Sequence, residues 1–296
     1  MDGILNLYKP AGISSHGAVS RVRRIFGMKR VGHAGTLDPM ACGVLPMMLG
    51  EATKLSEFML AHDKGYTAGL RLGKTTDTQD TTGELLSESD DIPGPEEVAA
   101  AAARFAGKIE QIPPMHSAIK MGGVKLYQLA RAGKSVERAP RKVEIYSIAV
   151  TPGESVRDYI LDVRCSKGTY IRTLCADIGA ALGCGGVMAS LERTQCGPFR
   201  AENAVRLDEL ENLGEDALAH HLMSIGEYLE GRFGPGIALD ERRYTRVFNG
   251  LEAELDSDAA GEFVPLYSHE GQLFALARIR REGGAVYAKA VRRVNL

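Results

Sequence analysis

The stretch Arg30–Lys54, RVGHAGTLDPMACGVLPMMLGEATK, decides how the rest of the chain is read. Glycines at 32, 35, 43 and 50 and prolines at 39 and 46 punctuate it, and Asp38 is its only acid before Glu51. Glycine frees the backbone and proline removes a donor, so neither a helix nor a plain strand runs through such spacing. The proline at 39 pushes Asp38 towards extended backbone. An Asp-Pro pair alone would mean no more than a turn. Here Leu37, Met40, Ala41, Val44 and Leu45 surround the acid, which predicts a lightly solvated carboxylate. Such a group needs a cation or hydrogen-bond donors beside it, or it takes up a proton.

Working outward, Gly3–Tyr8 reads as a short buried strand. His16–Phe26 reads as an amphipathic helix with Val19, Val22 and Phe26 opposite Arg21, Arg23 and Arg24. Gly65–Leu72 is strand-like, and Glu96–Phe105 is a helix opened by Pro95 and stopped at Gly107. Val143–Thr151 and Asp158–Cys165 alternate as paired strands joined at Pro152–Gly153. Tyr170–Leu182 reads as a helix that Gly183 ends. An acidic stretch of short helices follows, then three strands, Phe263–Tyr267, Gln272–Ile279 and Ala285–Val294. This order predicts a mixed α and β protein in two parts, 1–232 and 233–296, divided near Gly231–Gly236.

Of the 296 residues, 44% are hydrophobic and 25% charged, which excludes a disordered chain. The N-terminal MDGILNLYKPAG lacks the pattern of a secretory signal, and no apolar run is long enough to span a membrane. Five cysteines (42, 165, 175, 184 and 196) without a CxxC pair argue against a disulfide framework and a zinc site. A cytoplasmic protein is expected. GLRLGKTTD resembles a phosphate loop, but Ala68 stands where that loop needs glycine.

The net charge of −2 hides a blocked distribution. Residues 111–142 carry seven basic residues against one acid, a local +6. Residues 274–296 carry six against one, a local +5, and residues 201–262 carry fifteen acids against five basic residues, a local −10. That asymmetry predicts a polyanion-binding face opposed by an acidic one.

The segment GHAGTLDPMACGVLPMMLGEATK closely resembles the active-site motif of the TruB family of tRNA pseudouridine synthases. LNLYKPAGISS, DKGYTAGLRLGKTTDTQDTTG and CSKGTYIRTLCADIGAALGCGG resemble further blocks of that family, in its order, across most of residues 3–200. The resemblance implies an α/β (α+β) catalytic domain built on a mixed, largely antiparallel sheet. A small β-rich PUA-like RNA-binding domain would follow it, ending in AVRRVNL. It also implies that the chain isomerises uridine to pseudouridine in the T-loop of tRNA, at conventional position 55. The reaction breaks the bond from ribose C1′ to uracil N1, turns the base and joins C1′ to C5. It is redox-neutral, so no cofactor and no metal are expected.

By the same resemblance Asp38 is the anionic group beside the sugar, whether it attacks C1′ or removes a sugar proton. Arg172 is its partner, and Tyr66 stacks on the uracil while its hydroxyl helps remove the final C5 proton. The target uridine must be extruded, and His33 resembles the family histidine that fills the space near the flipped bases. Lys54, Tyr170 and Leu191 are placed around the uracil and its phosphates, and Lys9 supports the loop. The family commonly has Thr where this chain has Ala34 and Cys42, which puts local loop hydrogen bonding in question. The basic insertion 111–142 would grip the T-stem-loop through phosphate contacts, making binding salt-sensitive. A monomer with no membrane association is expected. Two rival readings are a tRNA-binding folding chaperone without chemistry and a guide-RNA-dependent synthase subunit. Activity of the purified chain on bare tRNA separates them.

Overall fold

Strand Gly3–Lys9 divides its apolar side chains between two cores, Leu5 and Leu7 into one and Ile4 into the other. Strand Cys42–Leu49 does the same, with Leu45, Met47 and Leu49 on one face and Val44 and Met48 on the other. A sheet covered on both faces has no solvent side, which is why VLPMML is apolar without alternation. The computed structural model in which this is seen describes residues 1–117, 119–134, 136–256, 259 and 261–295.

The large sheet has eleven strands among the described residues. Its main path runs Val205–Arg206, Gly3–Lys9, Cys42–Leu49, Gly186–Cys196, Lys64–Leu72, Asp158–Cys165, Arg141–Pro152, Gly107–Gln111. Along this path two junctions are parallel, Val205–Arg206 on Gly3–Lys9 and Gly186–Cys196 on Cys42–Leu49. The others are antiparallel, so the sheet is mixed and largely antiparallel. Helix Ser15–Ile25 opens at Ser14, whose hydroxyl accepts from the Gly17 amide at 3.0 Å, and buries Ala18, Val19 and Val22 on the first face. Helix Ile171–Ala181 buries Leu174 and Ile178 on that same face. It lies so close to the central strand that a Cβ on Gly179 would stand 2.1 Å from the Gly186 nitrogen.

The C-terminal residues form a five-stranded sheet in the order Ile237–Ala238, Phe263–Tyr267, Leu273–Glu282, Ala285–Arg293, Ala253–Leu255. Helix Glu241–Phe248 accompanies it, capped by the Asp240 carboxylate on the Arg243 amide at 2.8 Å. One apolar cluster joins the two sheets: Ile4, Val44, Met48 and Phe58 pack with Tyr228, Leu229, Leu273, Leu276 and Val294. Phe58 stands edge-on to Phe233 and Phe263, at 5.6 and 5.2 Å between ring centres.

Charge is distributed differently from the expectation. In the C-terminal part the basic and acidic blocks pair with one another: Arg278 with Glu262 at 3.3 Å and Arg280 with Glu252 at 2.7 Å. Arg292 reaches across to Glu57 at 2.7 Å. The −10 block therefore neutralises part of the +5 block instead of forming an opposed face. The +6 insertion leaves and re-enters the sheet at one place, because Gln111 and Arg141 are register partners. It folds as a small hairpin, Lys120–Met121 with Val124–Lys125, and a short helix, Leu126–Arg131. The side chains of Lys120, Lys125 and Arg131, which were expected to grip RNA, lie outside the described residues.

Candidate active site

The loop around Asp38 is tied to the N-terminal segment by backbone and buried polar groups. The Ser15 hydroxyl accepts from the Leu37 amide at 2.8 Å and donates to the Leu37 carbonyl at 2.9 Å. The Gly12 amide donates to the Pro39 carbonyl at 2.8 Å. Lys9, 0% exposed, donates from Nζ to the carbonyls of Pro10 and Ile13 at 2.8 Å and of Pro39 at 3.5 Å. Burial lowers its ammonium to about 8. Lys9 thus holds the loop, as the sequence suggested.

Asp38 is half-buried and meets Arg172 in a fork: Nε lies 3.0 Å from Oδ2 and Nη2 donates to Oδ1 at 3.4 Å. Arg172 is 5% exposed and sits in the first turn of helix Ile171–Ala181. The cap of that helix, Tyr170, is pinned on both sides by Gln111, which accepts from its amide at 3.0 Å and donates to its carbonyl at 3.2 Å. Arg172 also donates to the carbonyls of Thr78 at 3.0 Å and His116 at 2.7 Å. A second buried carboxylate, Asp80, stands 3.6 Å from Arg172 Nη1 and accepts from the hydroxyls of Thr78 and Thr82 and the Thr82 amide. Burial pushes the Asp38 carboxyl above the usual carboxylate range, Arg172 pulls it back, and the Asp80 charge pushes it up again.

The other expected residues divide between this cluster and its surroundings. Tyr66, half-buried on strand Lys64–Leu72, packs against the core that holds Leu37 and Leu191. Burial raises its hydroxyl to about 12, so it is protonated at neutral pH. Leu191 is buried two residues along the central strand from the position opposite Tyr66. Tyr170 is raised by burial and feels the charges of Arg172 and Asp38. His33 ends the short strand Val31–His33, and its Nδ1 is buried with no hydrogen-bond partner. Burial and the nearby Arg193 charge lower its pKa, keeping the ring neutral. Lys54 lies instead in an ion pair with Glu51 at 2.6 Å. Burial opposes the Glu51 charge, yet Lys54, the Asn295 amide and Arg30 outweigh it and hold that carboxyl at about 2. That places Lys54 beside the C-terminal end of the chain and not in the Asp38–Arg172 cluster.

The two departures from the family pattern cost the loop little. Ala34 is fully buried, and Cys42 still donates through Sγ to the Leu191 carbonyl at 3.7 Å. Two residues escaped the reading of the sequence. Asp80 lay within DTQDTTG, where an acid flanked by threonines was the available signal. Arg193 lay within SLERTQCG, and nothing local distinguishes it from a surface arginine. It is in fact 1% exposed, donating from Nε to the Val44 carbonyl at 2.6 Å and from Nη2 to the Gly35 carbonyl at 3.1 Å. Among the described residues, no group of three or more His, Cys, Asp or Glu side chains could hold a metal ion. What the cluster offers chemically is an oriented carboxylate, a buried cation that favours its ionised form, and an aromatic and an aliphatic side chain beside it.

Comparison with known proteins agrees with this geometry. Residues 23–171 match the family model described as TruB family pseudouridylate synthase (N terminal domain), and residues 172–230 match the tRNA pseudouridylate synthase B C-terminal domain. A protein named tRNA pseudouridine synthase B from Alkaliphilus oremlandii is 51% identical over 72% of this chain and 71% of its own length. One of the same name from Clostridium perfringens is 42% identical over 96% of this chain and 92% of its own. Among solved structures, that of a Cbf5-Nop10-Gar1 complex superposes with a TM-score of 0.74 at 26% identity, covering 98% of this chain and 84% of the other. With family models spanning most of the chain and relatives of this similarity along nearly all of it, the chain belongs to the TruB family of pseudouridylate synthases.

Proposed function

We propose that this chain isomerises uridine to pseudouridine in the T-loop of tRNA, at position 55, with Asp38 as the carboxylate acting at the ribose. The observation that carries the reading is the Asp38–Arg172 fork, in which a half-buried carboxylate is oriented by a buried guanidinium. The name shared by the relatives, tRNA pseudouridine synthase B, supports tRNA as the substrate. In this reading the C1′–N1 bond breaks under the action of Asp38, and the freed uracil stays in plane against Tyr66 and Leu191 while it turns. Tyr66 serves the loss of the C5 proton, Tyr170 lines the site, and His33 fills the space left by the extruded base. Lys54 meets RNA phosphate from its place beside Glu51. Residues 1–232 form the catalytic domain, with the 111–142 insertion gripping the T-stem-loop, and residues 233–296 form a PUA-like domain. The protein acts as a cytoplasmic monomer. Among the described residues, no helix is long and apolar enough to cross a membrane.

The test is to incubate the purified chain and its Asp38→Asn variant with a T-stem-loop transcript and map pseudouridine. The variant should lose at least about 1,000-fold in turnover, because a neutral amide cannot act as nucleophile or base, while its RNA affinity stays within about threefold. Substantial residual turnover in the variant would overturn the assignment of Asp38.

A further inference from the structure

Arg193 is one of the most deeply buried side chains of the protein, yet among the described residues no carboxylate lies within ion-pair distance of its guanidinium. A buried cation without an anionic partner is expensive for a fold to keep. Its bonds show where it is aimed. Nε and Nη2 are held by carbonyls on either side of Asp38 in sequence, those of Val44 and Gly35. A Cβ on Gly35 would stand 3.6 Å from Nη1, so the loop packs directly on the guanidinium. Residues 193 and 66 are register partners on neighbouring antiparallel strands, which puts both side chains on one face of the sheet. There the guanidinium hydrogen-bonds the Tyr66 hydroxyl. A guanidinium only donates, so the phenol oxygen accepts and its own proton is left free to point elsewhere.

We propose that Arg193 is a positioning residue for the reaction, fixing the Tyr66 hydroxyl from behind and setting an uncompensated positive charge beside the freed base. This rests on the roles given above to Asp38 and Tyr66. When the C1′–N1 bond breaks, its electron pair leaves with N1, so the uracil is an anion until C5 rejoins C1′. A buried cation that no carboxylate neutralises is suited to that interval. The same charge keeps His33 neutral. One arginine thereby ties three groups of the site to a single strand of the sheet.

The experiment is a double-mutant cycle on a T-stem-loop RNA tritiated at C5 of the target uridine, read as single-turnover tritium release. The four chains are wild type, Arg193→Met, Tyr66→Phe and the double variant, with melting temperature and RNA affinity measured for each. Arg193→Met should slow release by about 100-fold when Tyr66 is present and by less than about threefold in the Tyr66→Phe background, the signature of coupled groups. Arg193→Lys, which keeps the charge but loses the fork, should recover part of the rate and show a larger primary isotope effect at C5 than wild type. If Arg193→Met does not fold, Arg193→Lys takes its place in the cycle with the same criterion. Equal losses in both backgrounds, or a loss matched by weakened RNA binding, would overturn the proposal. A wild-type chain that releases no tritium would instead overturn the enzymatic reading on which it rests.

Discussion

At Asp38 burial and the Asp80 charge favour the protonated acid, while Arg172 favours the carboxylate. The reactive form is lost as the pH falls through the folded-state pKa, so anything that raises that pKa brings the loss closer to neutrality. Arg172→Gln removes the opposing cation and leaves burial and Asp80 unanswered. The acid limb of the pH–rate profile should then move upward by about one pH unit or more, with a lower plateau as well. A limb that stays in place in single-turnover profiles would show that Asp38 does not carry the acid ionisation. Asp38 itself was legible in the sequence, because a lone acid between glycines and prolines in an apolar run has few other uses. Its partner was legible only by resemblance. Arg172 lies 134 residues away along the chain, and nothing local marks it as buried. Asp80 and Arg193 were not legible, since their roles come from what packs against them.

Among the elements, the parallel approach of Gly186–Cys196 to Cys42–Leu49 sets the back wall of the site. Gly43 makes it possible: its φ is +104°, and a Cβ there would stand 2.3 Å from the Arg193 carbonyl oxygen. Gly43→Ala adds backbone strain and a clash that only separation of the strands relieves. It should lower the unfolding free energy by about 2–4 kcal/mol and depress activity with it. A melting temperature equal to wild type would refute this. Strand Asp158–Cys165 was legible to the residue because it alternates cleanly after a Pro-Gly turn. The central strand Gly186–Cys196 was not. Register shifts between Met188 and Ser190 and between Arg193 and Gln195 break its two-residue period, and a buried arginine sits among its apolar positions. Two-residue strands such as Val205–Arg206 and Leu222–Met223 have no period to read. The junction of the two family models, at 171/172, falls inside one packed unit, because helix Ile171–Ala181 and the central strand complete the catalytic sheet.

In the whole molecule, a buried histidine fastens the C-terminal part to the large sheet. His62 is bracketed by two residues of helix Ile225–Phe233: its Nε2 lies 2.9 Å from the Tyr228 hydroxyl, and its Nδ1 accepts from Arg232 at 2.7 Å. That helix carries Tyr228 and Leu229 into the cluster shared by both sheets. Burial, then the Arg232 and Lys64 charges, lower the His62 pKa from 6.5 to about 4. The folded state therefore resists a proton that the unfolded chain accepts from pH 6.5 downward. Its contribution is full above that pH and is lost as the pH falls towards 4, by about 3 kcal/mol at most. Urea unfolding at pH 8 and pH 5 should show His62→Gln losing less stability on acidification than wild type. Parallel losses in the two proteins would remove His62 from this role.

The sequence by itself determined the family, the identity of the acid, the mixed composition of the fold and most of the longer helices and strands. These follow from local spacing: glycine and proline punctuation, periodicity and quoted motif blocks each act within a few dozen residues. Only the tertiary structure decided that Arg172 forks Asp38, that Asp80 and Arg193 stand behind the site, and that Lys54 pairs with Glu51. It also decided that the acidic and basic blocks of the C-terminal part neutralise one another. Burial and charge pairing depend on which distant segments meet. A chain's linear order does not contain that information until the sheet brings residues 38, 66, 172 and 193 together.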